Sequence, residues 1–333
     1  MGVKGLTTFL KKINGEDDFI KKINLYELNG KKVGIDASIF IYRFLYKPHF
    51  FVESFITMVY TFLVNGIIPI FVFDGAPPTE KNNELQARRD KKDDYQKKID
   101  EMNELIKMEN CDKINELKME IEKLEKRVIT LDQDYVKIAQ DVLKLVGLPY
   151  LHLEYEAEFI ASQLLKNGYI DYILSEDNDL FLLNCSSVLK DYSNIKNEIT
   201  YYDFDSLLKK MDITYNQFVE VCLLVGVDYS GKLNRVNLNQ AYLWIKEFKS
   251  IENLFKFKII TIHPDPENKI KNIIYQEIPD IQKTLEHYNF EKDKTDLIGL
   301  YELFKTNKVK ITFKLKKILT YFKDDNHFRS FRD

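Results

Sequence analysis

Cysteine and histidine are scarce in this 333-residue chain, and long apolar runs are missing. The three cysteines, Cys111, Cys185 and Cys222, are odd in number, far apart and without a C-x-x-C pair. That excludes a disulfide scaffold or zinc ribbon and fits a reducing compartment. The five histidines, His49, His152, His263, His287 and His327, are scattered, so none reads as a metal ligand or catalytic base. No apolar run approaches the ~20 residues of a membrane span. The start, MGVKGLTTFL, has no signal-peptide core, and Leu6 stands where myristoylation wants Ser or Thr. No P-loop is present, which disfavours a nucleotide kinase.

What is present is a large apolar share, 45%, and 30% charged residues. The length fits about two domains, or one large α/β domain with an appendage. Net charge is −3, which taken alone argues against a polyanion binder, but it is unevenly spread. Residues 232–333 hold 20 Lys/Arg against 14 Asp/Glu, net +6; residues 1–231 hold 29 against 38, net −9. An acidic body is joined to a basic C-terminal portion.

Strands alternate with helices. Residues 33–41 (VGIDASIFI) begin as a buried strand ending near Asp36, and 67–73 (IIPIFVF) form another that stops at Asp74-Gly75. Residues 171–174 (DYIL) form a short strand, and 52–64, 157–167 and 215–225 read as helices. This pattern predicts an α/β fold with a mainly parallel central sheet flanked by helices. Between Pro78 and Gly147 there is neither glycine nor proline. The stretch is very polar to Asn115. From Ile114 to Leu145 a 3-4 apolar spacing predicts one long helix with a single seam, ending near Gly147-Leu148-Pro149. Residues 308–316 (KVKITFKLK) alternate and predict a half-exposed strand with a basic face.

The chemistry lies in where the acids fall. Asp36 and Asp74 each end a strand otherwise free of charge, at the edge where open α/β sheets bind ligands. A single Asp there is ordinarily a helix cap or turn residue. Glu156 and Glu158 open an apolar helix, where acids can simply complement the helix dipole. Asp177 and Asp179 follow the strand DYIL, and Asp228 follows VCLLVGV. Glu154 and Glu176 rank lower. Seven carboxylates gathered at one edge cannot persist as bare anions, since two unit charges at 4 Å repel by about 4 kcal/mol at an effective dielectric of 20. An all-oxygen set without His or Cys favours Mg²⁺ or Mn²⁺ over zinc. Two such ions activate water and stabilise an in-line phosphodiester displacement.

In this light MGVKGL, KKVGIDASIFIYRFL, IPIFVFDGAPPTEK, VGLPYLHLEYEAE, SEDNDLF and LLVGVDY resemble, in order, the blocks of the flap endonuclease/XPG family. The resemblance spans about residues 1–260. It implies a PIN/flap-endonuclease-like fold with a helical arch and a C-terminal helical DNA-binding region. Its divisions would be a nuclease half at 1–78, arch and return helix at 79–147, a second nuclease half at 148–230, and a helix–two-turn–helix-like duplex-binding region with an extension at 231–333.

The activity implied is cleavage of 5′ flaps and 5′ ends of branched DNA (flap, nicked or gapped duplex) with two Mg²⁺, Mn²⁺ substituting, in replication, repair or recombination. The metal ligands carried over are Asp36, Asp74, Glu156, Glu158, Asp177, Asp179 and Asp228. Lys81 and Arg88 match the basic residues at the arch base. They sit seven apart, on one helical face, where they can clamp the scissile phosphate. Arg89, Lys91 and Lys92 extend that patch, Tyr42 matches a base-stacking aromatic, and Gly2 matches a glycine near the active site.

One block departs from the family. Arg235-Val236-Asn237-Leu238-Asn239-Gln240-Ala241 replaces Gly-Ile-Gly-Pro-Lys, which puts the potassium site in doubt and shifts duplex binding toward Lys232 and Arg235. HFRSFRD carries no clear sliding-clamp motif. A monomer without membrane contact is expected, acting inside the cell where DNA is replicated, in the nucleus or, for a large DNA virus, the cytoplasm. An RNA-degrading host-shutoff nuclease and a catalytically inactive DNA-binding scaffold are the competing readings.

Overall fold

The computed structural model describes residues 3–75, 82–108, 114–227, 236–265, 268–275 and 293–324. Strands β1 (Ile20–Asn24), β2 (Lys32–Asp36), β3 (Ile68–Phe73), β4 (Tyr150–His152), β5 (Tyr172–Leu174), β6 (Ser187–Ser193) and β7 (Glu198–Asp203) form one sheet, ordered β1-β7-β6-β5-β2-β3-β4. Pairs β2/β3, β2/β5, β3/β4 and β5/β6 are parallel; β7 is antiparallel to β6 and to β1. The mainly parallel sheet expected from the strand–helix alternation is therefore present, with an antiparallel margin at one side.

Alternation along each strand sorts side chains onto two faces. Ile70, Val72, Ile173 and Val188 join one buried cluster, while Phe71, Phe73, Leu174 and Leu189 join the other. Both faces are apolar because helices cover both. The first is covered by α1 (Leu6–Asn14), α7 (Ala157–Lys166), α8 (Asp179–Leu182), α9 (Phe204–Met211), α10 (Tyr215–Val225), α11 (Leu238–Phe248) and α12 (Ile251–Lys256). α13 (Lys269–Ile274) adds Ile274 to that cluster. The second is covered by α2 (Ala37–Leu45), α3 (Phe51–Val64), α6 (Gln133–Val146), α14 (Leu297–Thr306) and α15 (Phe313–Lys323). The last two helices thus return to the core built by α2 and α3.

The long polar stretch forms α4 (Asn82–Met108), which packs with α5 (Ile114–Val128) as a hairpin around Ile99, Ile121 and Leu124. The single seam helix expected from 114 to 145 is instead two helices, α5 and α6, broken at 129–132. The apolar spacing runs through the break unchanged, so periodicity could not reveal it. Asp132 starts α6 by accepting from the Asp134 N–H, and the Ile129 carbonyl accepts from Lys92 Nζ at 2.7 Å. The expected strand at 308–316 is also absent. Thr312 caps α15 through the Leu315 N–H, and Leu315, Ile318, Leu319 and Phe322 bury one helical face. The alternating window was too short to show that 3-4 spacing.

Gly147 ends α6 in the left-handed region (φ 80°), its N–H closing on the Leu143 and Lys144 carbonyls. Its own carbonyl accepts from the Asp293 N–H at 2.7 Å, and a Cβ there would lie 2.2 Å from the Asp293 oxygen. Gly147→Ala should therefore cost about 1–3 kcal/mol for the backbone alone, with more from displacing residues 293–296. Urea unfolding reads this as a lower midpoint; a wild-type midpoint would contradict the close approach.

Candidate metal centre

Parallel register places the C-terminal ends of β5, β2, β3 and β4 side by side: Ile35 pairs with Leu174, Asp36 with Val72, and Phe73 with His152. Every acid singled out in the described part of the sequence follows one of these ends.

Asp36 is buried at the end of β2 and caps α2, its Oδ1 accepting from the Ile39 N–H at 3.4 Å. Its Oδ2 accepts from Ser175 Oγ at 2.9 Å. The capping role and the site role coincide in one side chain. Asp74 follows β3, and its Oδ1 accepts from the Ala157 N–H at 2.8 Å. It thereby serves the start of α7, where the N-cap residue Glu156 makes no side-chain cap bond. Gly75 makes this possible. Its N–H donates to the Tyr155 carbonyl at 2.8 Å, and a Cβ would lie 2.0 Å from the Leu153 oxygen. Only glycine lets the Asp74 turn sit this close to the segment carrying Glu156 and Glu158.

Glu158, Asp177 and Asp179 each offer a carboxylate oxygen within 4.8 Å of the others. Glu158 and Asp179 are buried and Asp177 is half-buried. The turn that carries the last two is shaped by its own polar groups. Ser175 Oγ accepts from the Asp177 N–H at 3.0 Å, and Asp177 Oδ1 accepts from the Asp179 N–H at 3.0 Å. Ser175 was not foreseen; the only sign of it is a hydroxyl residue directly after a strand end.

Burial pushes the Asp36 carboxyl up to about 8, and the charges of Asp74 and Asp177 add to that push against the Ser175 hydrogen bond. Asp36, Asp74 and Asp177 therefore share one electrostatic environment, and Asp177 links it to Glu158 and Asp179. Such a set has to take up protons or hard cations. The all-oxygen donors suit a divalent ion of the Mg²⁺ or Mn²⁺ kind.

Beside this centre, Tyr42 on α2 is exposed, and the charges of both Asp74 and Arg88 act on its hydroxyl. Arg88 is half-buried on α4; Arg89 and Lys91 are exposed. Lys92 commits its ammonium to the Ile129 carbonyl, so it braces the base of the hairpin. Glu176 binds Arg43 (3.0 Å) and the Asp191 N–H (3.0 Å), Glu154 is exposed, and neither belongs to the group formed by Glu158, Asp177 and Asp179. Gly2, Lys81, Asp228, Lys232 and Arg235 lie outside the described residues.

A carboxyl whose folded pKa lies above its unfolded value near 4 stabilises the fold fully below that value, and the contribution is lost as pH rises through about 8. Metal-free protein should lose thermal stability across that window. Mg²⁺ should then raise the melting temperature more at about pH 8.5 than at about pH 5.5. Asp36→Asn should shrink that difference. Equal Mg²⁺ shifts at both pH values in the wild type would contradict this electrostatic account.

Comparison with known proteins agrees with this geometry. Residues 1–95 match the XPG N-terminal domain and residues 147–228 the XPG I-region. The chain is 28% identical to Flap endonuclease 1 of Enterocytozoon bieneusi, over 82% of this chain and 81% of that one. It is 30% identical to Flap endonuclease 1-1 of Paramecium tetraurelia, over 77% of this chain and 67% of that one. Its fold is similar to that of the catalytic core of Rad2 solved with DNA substrate, with a TM-score of 0.67 at 22% identity, covering 96% of this chain and 100% of that one. A carboxylate centre on a parallel sheet edge, with both family regions in place around it, makes this chain a member of the XPG/flap endonuclease family.

Proposed function

We propose that the protein is a Mg²⁺-dependent, structure-specific 5′ nuclease that cuts 5′ flaps and 5′ ends of branched DNA. The observation that carries this reading is the group formed by Glu158, Asp177 and Asp179, with oxygens within 4.8 Å of one another and the buried Asp36 beside it. Asp36, Asp74, Glu156, Glu158, Asp177, Asp179 and Asp228 are the proposed ligands. When bound, two divalent ions would supply a nucleophilic water and charge stabilisation for phosphodiester hydrolysis.

The chain's own groups would do the rest. Arg88, with Lys81, donates to the scissile phosphate and offsets charge that builds during displacement. The exposed Tyr42, whose hydroxyl feels the charges of both Asp74 and Arg88, offers a stacking face for a base. The α4/α5 hairpin has a very small core and a mostly exposed, polar surface, which suits a passage for a single strand. Duplex DNA is assigned to the basic portion at 231–333, beyond nuclease halves at 1–78 and 148–230 and the arch at 79–147. The likeness to the Rad2 core, solved with DNA, supports DNA as the partner. A monomer working where DNA is replicated or repaired completes the proposal.

With a 5′-labelled double-flap DNA, cleavage within about a nucleotide of the junction should require Mg²⁺, vanish in EDTA, and fall at least about a hundredfold in Asp177→Ala. Preference for an RNA substrate, or cleavage that survives EDTA, would overturn the reading. Lys81→Ala/Arg88→Ala should lower kcat by about a hundredfold or more while DNA affinity changes little. A loss of affinity at unchanged kcat would reduce both residues to backbone anchors.

A further inference from the structure

One buried cation takes no part in the chemistry above. Lys190 lies in the middle of β6 and is 3% exposed. Lysine is almost never buried without partners, and its ammonium has three donors to satisfy. All three are spent on consecutive residues of the turn that carries the metal-site acids. Nζ donates to the Glu176 carbonyl at 2.7 Å, the Asp177 carbonyl at 3.1 Å and Asn178 Oδ1 at 3.2 Å. Asn178 Oδ1 accepts in addition from Thr7 Oγ1 at 2.9 Å, so the same turn is tied to α1.

We propose that Lys190 is a positioning residue, a buried ammonium that grips the 176–178 backbone from behind so that Asp177 and Asp179 present their oxygens together with Glu158. Its acceptors are carbonyl and amide oxygens, which leaves the carboxylates of Asp177 and Asp179 to the metal edge. Burial pushes the Lys190 ammonium below the ordinary lysine range, and the charges of Glu176, Asp177, Asp191 and Asp179 act against that push. The Lys190 ammonium itself lies over the Phe181 ring, 5.7 Å from Nζ to the centroid. A methionine keeps an apolar chain of similar length in place while removing every donor.

The inference rests on the metal-site reading, and the test separates the two. Mn²⁺ binding is titrated by electron paramagnetic resonance on the intact, DNA-free protein, alongside thermal melting in EDTA and the kcat and KM for flap DNA. If wild-type protein binds no Mn²⁺, the metal-site reading itself fails. If it does bind, Lys190→Met should bind Mn²⁺ at least about tenfold more weakly. Its kcat should fall by a similar factor at nearly unchanged KM, and Lys190→Arg should recover part of both. Wild-type Mn²⁺ affinity in a folded Lys190→Met protein would overturn the positioning role and leave a lysine that serves packing alone. Should that variant fail to melt cooperatively, Asn178→Ala, which keeps Lys190 but removes one of its acceptors together with the Thr7 tie, should weaken Mn²⁺ binding by about tenfold. Unchanged affinity there would equally overturn the proposal.

Discussion

Like charges gathered at one sheet edge repel, and two of them 4 Å apart cost about 4 kcal/mol at an effective dielectric of 20. Against a total folding stability of about 5–15 kcal/mol, several such pairs would be ruinous if nothing offset them. This chain offsets them locally. Asp36 takes its N–H from Ile39 and its hydroxyl from Ser175, Asp74 takes the Ala157 N–H, and Asp177 takes the Asp179 N–H. Burial holds a proton on Asp36 up to about pH 8. What remains is a pre-shaped anionic recess, assembled by helix starts and turn amides that the fold needs anyway.

Parallel register is what gathers the acids. Strands β5, β2, β3 and β4 all run the same way, so their C-terminal ends cannot avoid sharing an edge. Gly75 then lets the Asp74 turn approach the Glu156–Glu158 segment within hydrogen-bonding distance. The near-neutral total charge of −3 conceals this arrangement. Setting aside the seven proposed ligands leaves +4, so the sum hides an acidic recess and a basic C-terminal portion that partly cancel.

Asp36 and Asp74 were legible because a charge-free strand that stops at an acid is conspicuous in one dimension, and Asp177 and Asp179 because they cluster directly after the strand DYIL. Their convergence followed from the strand–helix alternation that predicts a parallel sheet. Less was legible where three-dimensional partners decide. The apolar spacing runs straight through 129–132, yet the helix breaks there, with Lys92 taking the Ile129 carbonyl and Asp132 restarting the chain. Alternation at 308–316 looked like a strand because the burial that selects a helix comes later, at Ile318, Leu319 and Phe322. Lys190 gave no signal at all, since a lone lysine in a strand ordinarily reads as a solvent-facing side chain. The short strand β4 and the antiparallel pair β6/β7 were likewise too brief or too mixed to stand out.

The central claim is that this recess is a divalent-metal site built from carboxylates. Anomalous diffraction from crystals soaked in Mn²⁺ tests it most directly. The account predicts two peaks about 4 Å apart, ligated by oxygens of the Asp36, Asp74, Glu156, Glu158, Asp177, Asp179 and Asp228 set. Anomalous density absent from that edge, or appearing only at other surface acids, would contradict it.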